Sequence, residues 1–465
     1  MPVVFILYWS IFRKSKNLQN SLILLASLFF YGYWDLRFLG LILLTAFSTF
    51  YAGRWMSGEN TAKKKWILAL AIVLNVGILF GFKYCNFFIS SLSDLASLLG
   101  IGVHLKTLKI VVPVGISFYT FSALSYCIDI YQRKIEPTKD ILAYLAYITF
   151  FPSLLSGPIG RATKQLPQFF KHREFNYNTA VNALKLILWG LFMKLCVADR
   201  LGVYVDDVYE NIQEHSGITL LLTSILYTIQ IYADFAGYSL IAIGSGKLLG
   251  IELLSNFEKP YFANTITDFW RRWHISLTTW FRDYIYFPLG GNRVRKSRWM
   301  LNTMIVFVVS GLWHGAEYSF LVWGGLHGLF MIFERLIYGD RIKKLGNDLS
   351  ISNILRTVFT FCLVSFAWIF FRADNISDAM LFLTGIFQNG FSSGLYWGRG
   401  KTLMGITLIL TFVMFAKDYV DVYGSNRFSL FNSKYAIVRY ASYIAIVLLL
   451  LEFATQSQRF IYFQF

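Results

Sequence analysis

Residues Ile218–Leu249 read ITLLLTSILYTIQIYADFAGYSLIAIGSGKLL, with one carboxylate, Asp234, inside the run and no basic residue before Lys247. The apolar character is continuous and does not alternate, which suits a helix in lipid and not a barrel strand. Similar runs recur along the chain, and the composition agrees with them: of 465 residues 56% are hydrophobic and 15% charged, with a mean hydropathy of +0.52. In water that much apolar surface would drive association. In a bilayer it is tolerated, provided that helices or a closed barrel satisfy every backbone group. The sequence therefore predicts an all-α polytopic membrane protein, with about 11–12 transmembrane helices plus two re-entrant or partly buried elements. No linker, repeat or low-complexity stretch divides it, so a single transmembrane domain over residues 1–465 is expected.

The net charge of +17 does not indicate nucleic acid, because Lys and Arg fall in short loops between apolar spans, as cytoplasmic loops do. Cys85, Cys127, Cys196 and Cys362 lie singly in apolar segments, which indicates neither a disulfide framework nor a zinc site. Pro2–Phe12 is apolar but too short to cross, so it is expected to be a half-embedded helix or to follow an upstream start. Charge alternation then predicts a hairpin of Ser21–Trp34 and Leu36–Ala52, and crossings at Trp66–Ile89 and Ile110–Tyr131. Ile141–Gly157 has basic flanks on both sides and reads as re-entrant. Ala180–Val197 should cross to an acidic outer loop carrying Asp206, Asp207, Glu210 and Glu214, and Ile218–Leu249 should return. Asn264–Gly291 reads as an amphipathic, cytoplasm-facing element. Five further crossings, Trp299–Glu317, Tyr318–Glu334, Ile354–Phe371, Leu403–Lys417 and Ala436–Phe453, leave both termini outside.

Ionisable groups inside apolar spans are costly and mark function by default. Three histidines qualify: His274, His314 and His327. His314 lies between Gly311 and Gly315, which would let a substrate approach closely. There a neutral imidazole could act as a general base, or it could be a core histidine bonded to a carbonyl. Glu317, one turn on, either orients that ring or lies in the outer interface. His274 sits at the edge of an aromatic face made by Trp270, Trp273, Leu277, Trp280 and Tyr284 at helical spacing. Arg271, Arg272 and Arg282 beside it suit either snorkelling or a phosphate-rich donor. Asp234 either binds substrate hydroxyls or pairs with an arginine of the 271–298 region. The short aromatic C-terminus suits either an interfacial belt or a reactive tail, with Tyr462 as its nucleophile.

Trp270-Arg-Arg-Trp-His-Ile-Ser-Leu277, Arg282-Asp-Tyr-Ile-Tyr-Phe-Pro-Leu-Gly-Gly291 and Gly311-Leu-Trp-His-Gly-Ala316 resemble the signatures of membrane-bound O-acyltransferases. The similarity is to the bacterial branch that O-acetylates alginate and peptidoglycan. Pro113-Val-Gly-Ile-Ser-Phe-Tyr-Thr-Phe121, Phe151-Pro-Ser-Leu-Leu-Ser-Gly-Pro-Ile159, Ile231-Tyr-Ala-Asp-Phe-Ala-Gly-Tyr238 and Phe460-Ile-Tyr-Phe-Gln-Phe465 extend it over nearly the whole chain. The N-terminus departs, since members of this family usually begin further upstream. The resemblance implies that His314 is the catalytic histidine and His274 a second active-site histidine, in a ring of helices where cytoplasmic and outer funnels meet. It implies no bound cofactor, acetyl-CoA or an acyl-carrier thioester as donor, and a polysaccharide acceptor or an extracytoplasmic acyltransferase of the SGNH type as partner. The bacterial cytoplasmic membrane is the expected location. D-alanyl transfer to teichoic acid is the alternative within the family. A transporter lacks support because no internal symmetry is visible, and a non-catalytic export subunit would leave the histidines inert.

Overall fold

A computed structural model describes the chain except for residues 59, 102–105, 340–345, 347, 391–393, 425–430, 432, 455–460 and 462–465. Every regular element among the described residues is helical. Among the described residues, eight helices are long and apolar enough to cross a bilayer. Three more, Lys16–Trp34, Ile116–Tyr131 and Lys296–His314, run for 19, 16 and 19 residues. The chain is a multi-pass membrane protein, and its packing resolves into two compact units.

The first unit comprises Met1–Leu184 and Ala242–Leu254. It holds α1 (Pro2–Ser10), α2 (Lys16–Trp34), α3 (Leu39–Trp55), α4 (Thr61–Leu98), α5 (Ile116–Tyr131) and α6 (Ile141–Ile148). Helix α5 starts six residues later than hydropathy suggests, because Pro113 and a left-handed Gly115 (φ 76°) keep the preceding backbone out of the helix. Helix α6 stops at Ile148, and only a single turn, Phe151–Leu154, follows. This is the irregular backbone expected of a re-entrant element. Protein polar groups cover the 165–173 segment: Gln19 Nε2 donates to the Arg173 carbonyl (2.8 Å), and Arg173 Nη2 to Asn20 Oδ1 (2.7 Å).

The second unit comprises Lys185–Ile241 and Ser255–Phe465. It holds most of two long helices, α7 (Tyr177–Glu210) and α8 (Gly217–Leu248). The acidic residues expected in an outer loop are helical instead. Asp206 accepts from Arg372 Nη2 (2.7 Å) and Asp207 from the Tyr396 hydroxyl, so pairing lets α7 continue where hydropathy falls. The predicted amphipathic element is broken into α9 (Ile266–Arg272) and α10 (Ile275–Phe281), followed by a π-helical turn, Arg282–Tyr286. Then come α11 (Lys296–His314), α12 (Tyr318–Tyr338), α13 (Ile351–Arg372), α14 (Ile376–Gln388), α15 (Lys401–Tyr423) and α16 (Ala436–Phe453). Helix α14 had no counterpart in the sequence reading.

Helices α11 and α12 touch backbone to backbone. A Cβ on Gly311 would lie 2.2 Å from the Phe320 carbonyl oxygen, and one on Gly324 would lie 2.3 Å from that of Phe307. Small residues allow this approach where lipid supplies no hydrophobic drive for helix association. Gly311→Val should therefore separate the pair. Overpacking of this kind costs roughly 1–3 kcal/mol, which a lowered Tm of the detergent-solubilised protein would register; an unchanged Tm would refute the tight contact.

Candidate active site

The three histidines converge in an aromatic enclosure of the second unit. His314 occupies the last position of α11, His274 the break between α9 and α10, and His327 the middle of α12. All are buried, with 3%, 0% and 0% of their surface exposed. The His274 and His314 ring centroids are 6.4 Å apart. Trp323 lies against both His314 (4.9 Å) and His327 (5.1 Å), and Trp313 and Phe371 flank His314 at 4.8 and 5.4 Å.

The local bonding of His314 fixes its chemistry. Its Nδ1 lies 2.6 Å from the Ser310 carbonyl oxygen, one turn back on the same helix. A carbonyl can only accept, so Nδ1 carries the proton, and in the neutral ring the basic lone pair is on Nε2. The two readings of this residue thus coincide: it is bonded to a carbonyl, and that bond selects the tautomer that a base acting through Nε2 requires. The flanking glycines have a different role from the expected one. Gly311 admits the Phe320 carbonyl, and the space a Cβ on Gly315 would take is filled by the Phe320 ring, 2.0 Å away. Both glycines serve helix packing. Glu317 is exposed.

His274 is held in left-handed backbone (φ 42°, ψ 51°), a conformation that is uncommon outside glycine. Such residues cost on the order of 1–3 kcal/mol and persist only where neighbours over-determine them. Asn256 does so here. Its carbonyl accepts from Ile275 N (2.9 Å), its Oδ1 from Ser276 Oγ (2.6 Å), and its Nδ2 donates to Ser239 Oγ (3.2 Å). The break turns the His274 ring to the rings of Phe235 (4.6 Å) and Trp313 (5.9 Å). His327 accepts at Nδ1 from Trp270 Nε1 (3.3 Å), a bracing role that sequence did not assign.

Of the expected donor-binding arginines, Arg272 pairs with Asp268 and Arg282 with Asp283, both at 2.9 Å, while Arg271 is exposed. Asp234 pairs structurally, as one of its two readings had it, but with a different partner. Lys194 of α7 approaches its Oδ1 at 2.6 Å and Asp199 Oδ1 at 2.7 Å, so no arginine of 271–298 is involved. Lys194 was visible in the sequence as an ammonium inside an apolar run, and was missed. Tyr462 lies outside the described residues. Its neighbour Ile461 is buried, and the Ile461 N–H donates to Asp234 Oδ2 (2.9 Å).

A cleft of about 580 Å³ opens beside α7, lined by Arg200, Tyr204, Asp206, Asp207, Tyr396 and Trp397 among others. The bond to Asp207 pushes the Tyr396 phenol up to about 12, so it stays a proton donor at neutral pH. Phe371 touches His314, and the next residue, Arg372, pairs with Asp206. One end of α13 thus joins the histidine enclosure to the cleft wall.

The family described as "MBOAT, membrane-bound O-acyltransferase family" matches residues 28–373. The chain is 35% identical to a probable alginate O-acetylase AlgI of Azotobacter vinelandii, over 88% of this chain and 80% of that protein. It is 34% identical to a peptidoglycan O-acetyltransferase of Helicobacter pylori, over 83% and 77%. A teichoic acid D-alanyltransferase of Bacillus subtilis is 28% identical over 56% and 68%. Buried histidines facing each other across an aromatic enclosure, in a chain matched over most of its length, identify this multi-pass protein as an O-acyltransferase of the membrane-bound O-acyltransferase family.

Proposed function

We propose that the protein takes an acetyl group from acetyl-CoA on the cytoplasmic side and delivers it across the bacterial inner membrane, for O-acetylation of an extracytoplasmic polysaccharide such as alginate, peptidoglycan or another exopolysaccharide. The observation that carries this reading is the Nδ1-protonated His314 beside His274. In the proposed step His314 Nε2 takes the proton of an acceptor hydroxyl, the oxygen attacks the thioester carbonyl, and the C–S bond breaks. The thiolate leaves and is protonated. His274 positions the thioester. No metal or bound cofactor takes part. The greater extent and identity of the match to O-acetylating relatives support this reading over D-alanyl transfer, the second one.

The donor and the polymer stand on opposite sides of a hydrocarbon layer ~30 Å thick. A relay residue removes that difficulty, and Tyr462 is proposed for it. Its phenolate would take the acyl group as an ester and pass it to the polymer or to an acyltransferase of the SGNH type.

Arg271, Arg272 and Arg282 are proposed to contact the donor's phosphates. Such contacts, remote from the reacting carbon, stabilise ground and transition states alike and act on KM. Replacing Arg271 with alanine should raise the KM for acetyl-CoA about tenfold, the lower range for a charge-assisted bond at an exposed site, with kcat retained. The same change at Arg272 or Arg282 should raise it less, because each is tied to a carboxylate. Loss of kcat at unchanged KM would refute the docking.

A further inference from the structure

The Lys194–Asp199–Asp234 cluster is used neither by the chemistry above nor by helix packing in general. Two carboxylates share one ammonium in a buried position, and a buried carboxylate calls for further hydrogen-bond donors. One donor is known: the backbone N–H of Ile461 reaches Asp234 Oδ2, the oxygen opposite the one facing Lys194. The Ile461 side chain joins the same buried apolar cluster as Cys196, Val197 and Ile231.

Local backbone geometry builds the cluster. Residues 192–198 of α7 are π-helical, a departure from regular helix found mostly at functional sites. A Cβ on Gly190 would lie 2.6 Å from the Gly237 carbonyl oxygen, and one on Gly237 would lie 3.1 Å from Lys194 N. The two glycines thus bring α7 and α8 close enough for Lys194 to meet Asp234. A second contact holds the end of α16 nearby: Arg200 Nη1 donates to the Phe453 carbonyl (3.1 Å). Phe453 and Ile461 are therefore anchored at adjoining points, through Arg200 directly and through Asp234 and Lys194 to Asp199.

We propose that Asp234, backed by Lys194, is a positioning residue that anchors the chain at Ile461 to α8. The next residue of α8, Phe235, packs edge-on against His274, whose ring lies 6.4 Å from that of His314. The consequence for acyl transfer rests on the relay reading of Tyr462; the seat itself does not.

The two sides of the bond can be cut separately in the full-length protein in nanodiscs. Asp234→Ala removes the acceptor, and Ile461→Pro removes the N–H together with the buried side chain, leaving the ion cluster intact, with Ile461→Ala as the control for the lost side chain. Both should speed hydrogen exchange in the C-terminal peptide about tenfold, with exchange across α7 and α8 unchanged. Asp234→Asn, which retains an acceptor oxygen, should restore part of the protection. If the relay reading also holds, acyl transfer should fall in step with exposure of the tail. Faster exchange with normal transfer would keep the seat and refute the relay. Exchange unchanged in Ile461→Pro, or raised throughout α7 and α8 in both Asp234 variants, would overturn the seat and leave Asp234 as a packing residue.

Discussion

Replacing His314 with glutamine is expected to lower acyl transfer by about 10²–10⁴, the usual contribution of a general base, without loss of membrane insertion or folding. That factor corresponds to roughly 3–5.5 kcal/mol of transition-state stabilisation. Glutamine keeps a donor for the Ser310 carbonyl that now binds Nδ1, so the enclosure should remain closed around it. What it lacks is a nitrogen basic enough to accept the hydroxyl proton. His314→Ala should be at least as inactive but less stable, because it also leaves a cavity among Trp313, Trp323 and Phe371. His274→Ala should retain a residual rate, since that ring is assigned to positioning. Steady-state transfer by purified, correctly folded variants decides the matter, and normal activity in His314→Gln would remove the base.

Tyr462→Phe should reduce acetylation of an extracytoplasmic acceptor to background while leaving donor binding unchanged. The substitution keeps the ring and deletes only the oxygen. A phenol with an ordinary pKa of ~10 is a poor nucleophile at neutral pH, so it needs a base within reach, and His314 is the group proposed for it. The proton goes to His314 Nε2, the phenolate attacks the thioester carbonyl, and CoA leaves as the thiol. A second hydroxyl then displaces the phenolate, which recovers its proton. Mass spectrometry of the C-terminal peptide after incubation with acetyl-CoA should find one added acetyl group in wild type and none in the variant. Full transfer by Tyr462→Phe would reduce the tail to an anchor.

The membrane class and most helix positions were legible because hydropathy reports them directly. His314 was visible too, as an ionisable side chain in an otherwise featureless apolar run, and it is buried among aromatic rings. The break at His274 was not, because Trp270, Trp273, Leu277 and Trp280 keep helical spacing through it. Bonds from Asn256 to Ile275 and Ser276 hold the backbone at that break. Gly311 and Gly315 correctly announced a close approach, but a glycine does not say what approaches, and here it is Phe320. The acidic residues near 206–210 looked like loop because composition cannot show that Arg372 pairs with Asp206 and that the Tyr396 hydroxyl donates to Asp207. Asp234 suggested a cationic partner, and the nearby arginine-rich stretch concealed Lys194, forty residues earlier in sequence.

Release of CoA by the purified protein in proteoliposomes, measured as free thiol with acetyl-CoA as donor, tests the central claim most directly. Acyl transfer predicts thiol release that rises when a hydroxylated polysaccharide acceptor is supplied with its extracytoplasmic partner, and that disappears in His314→Gln. Thiol release that is absent in wild type, or that persists unchanged in His314→Gln, would contradict acetyl transfer from CoA through this histidine.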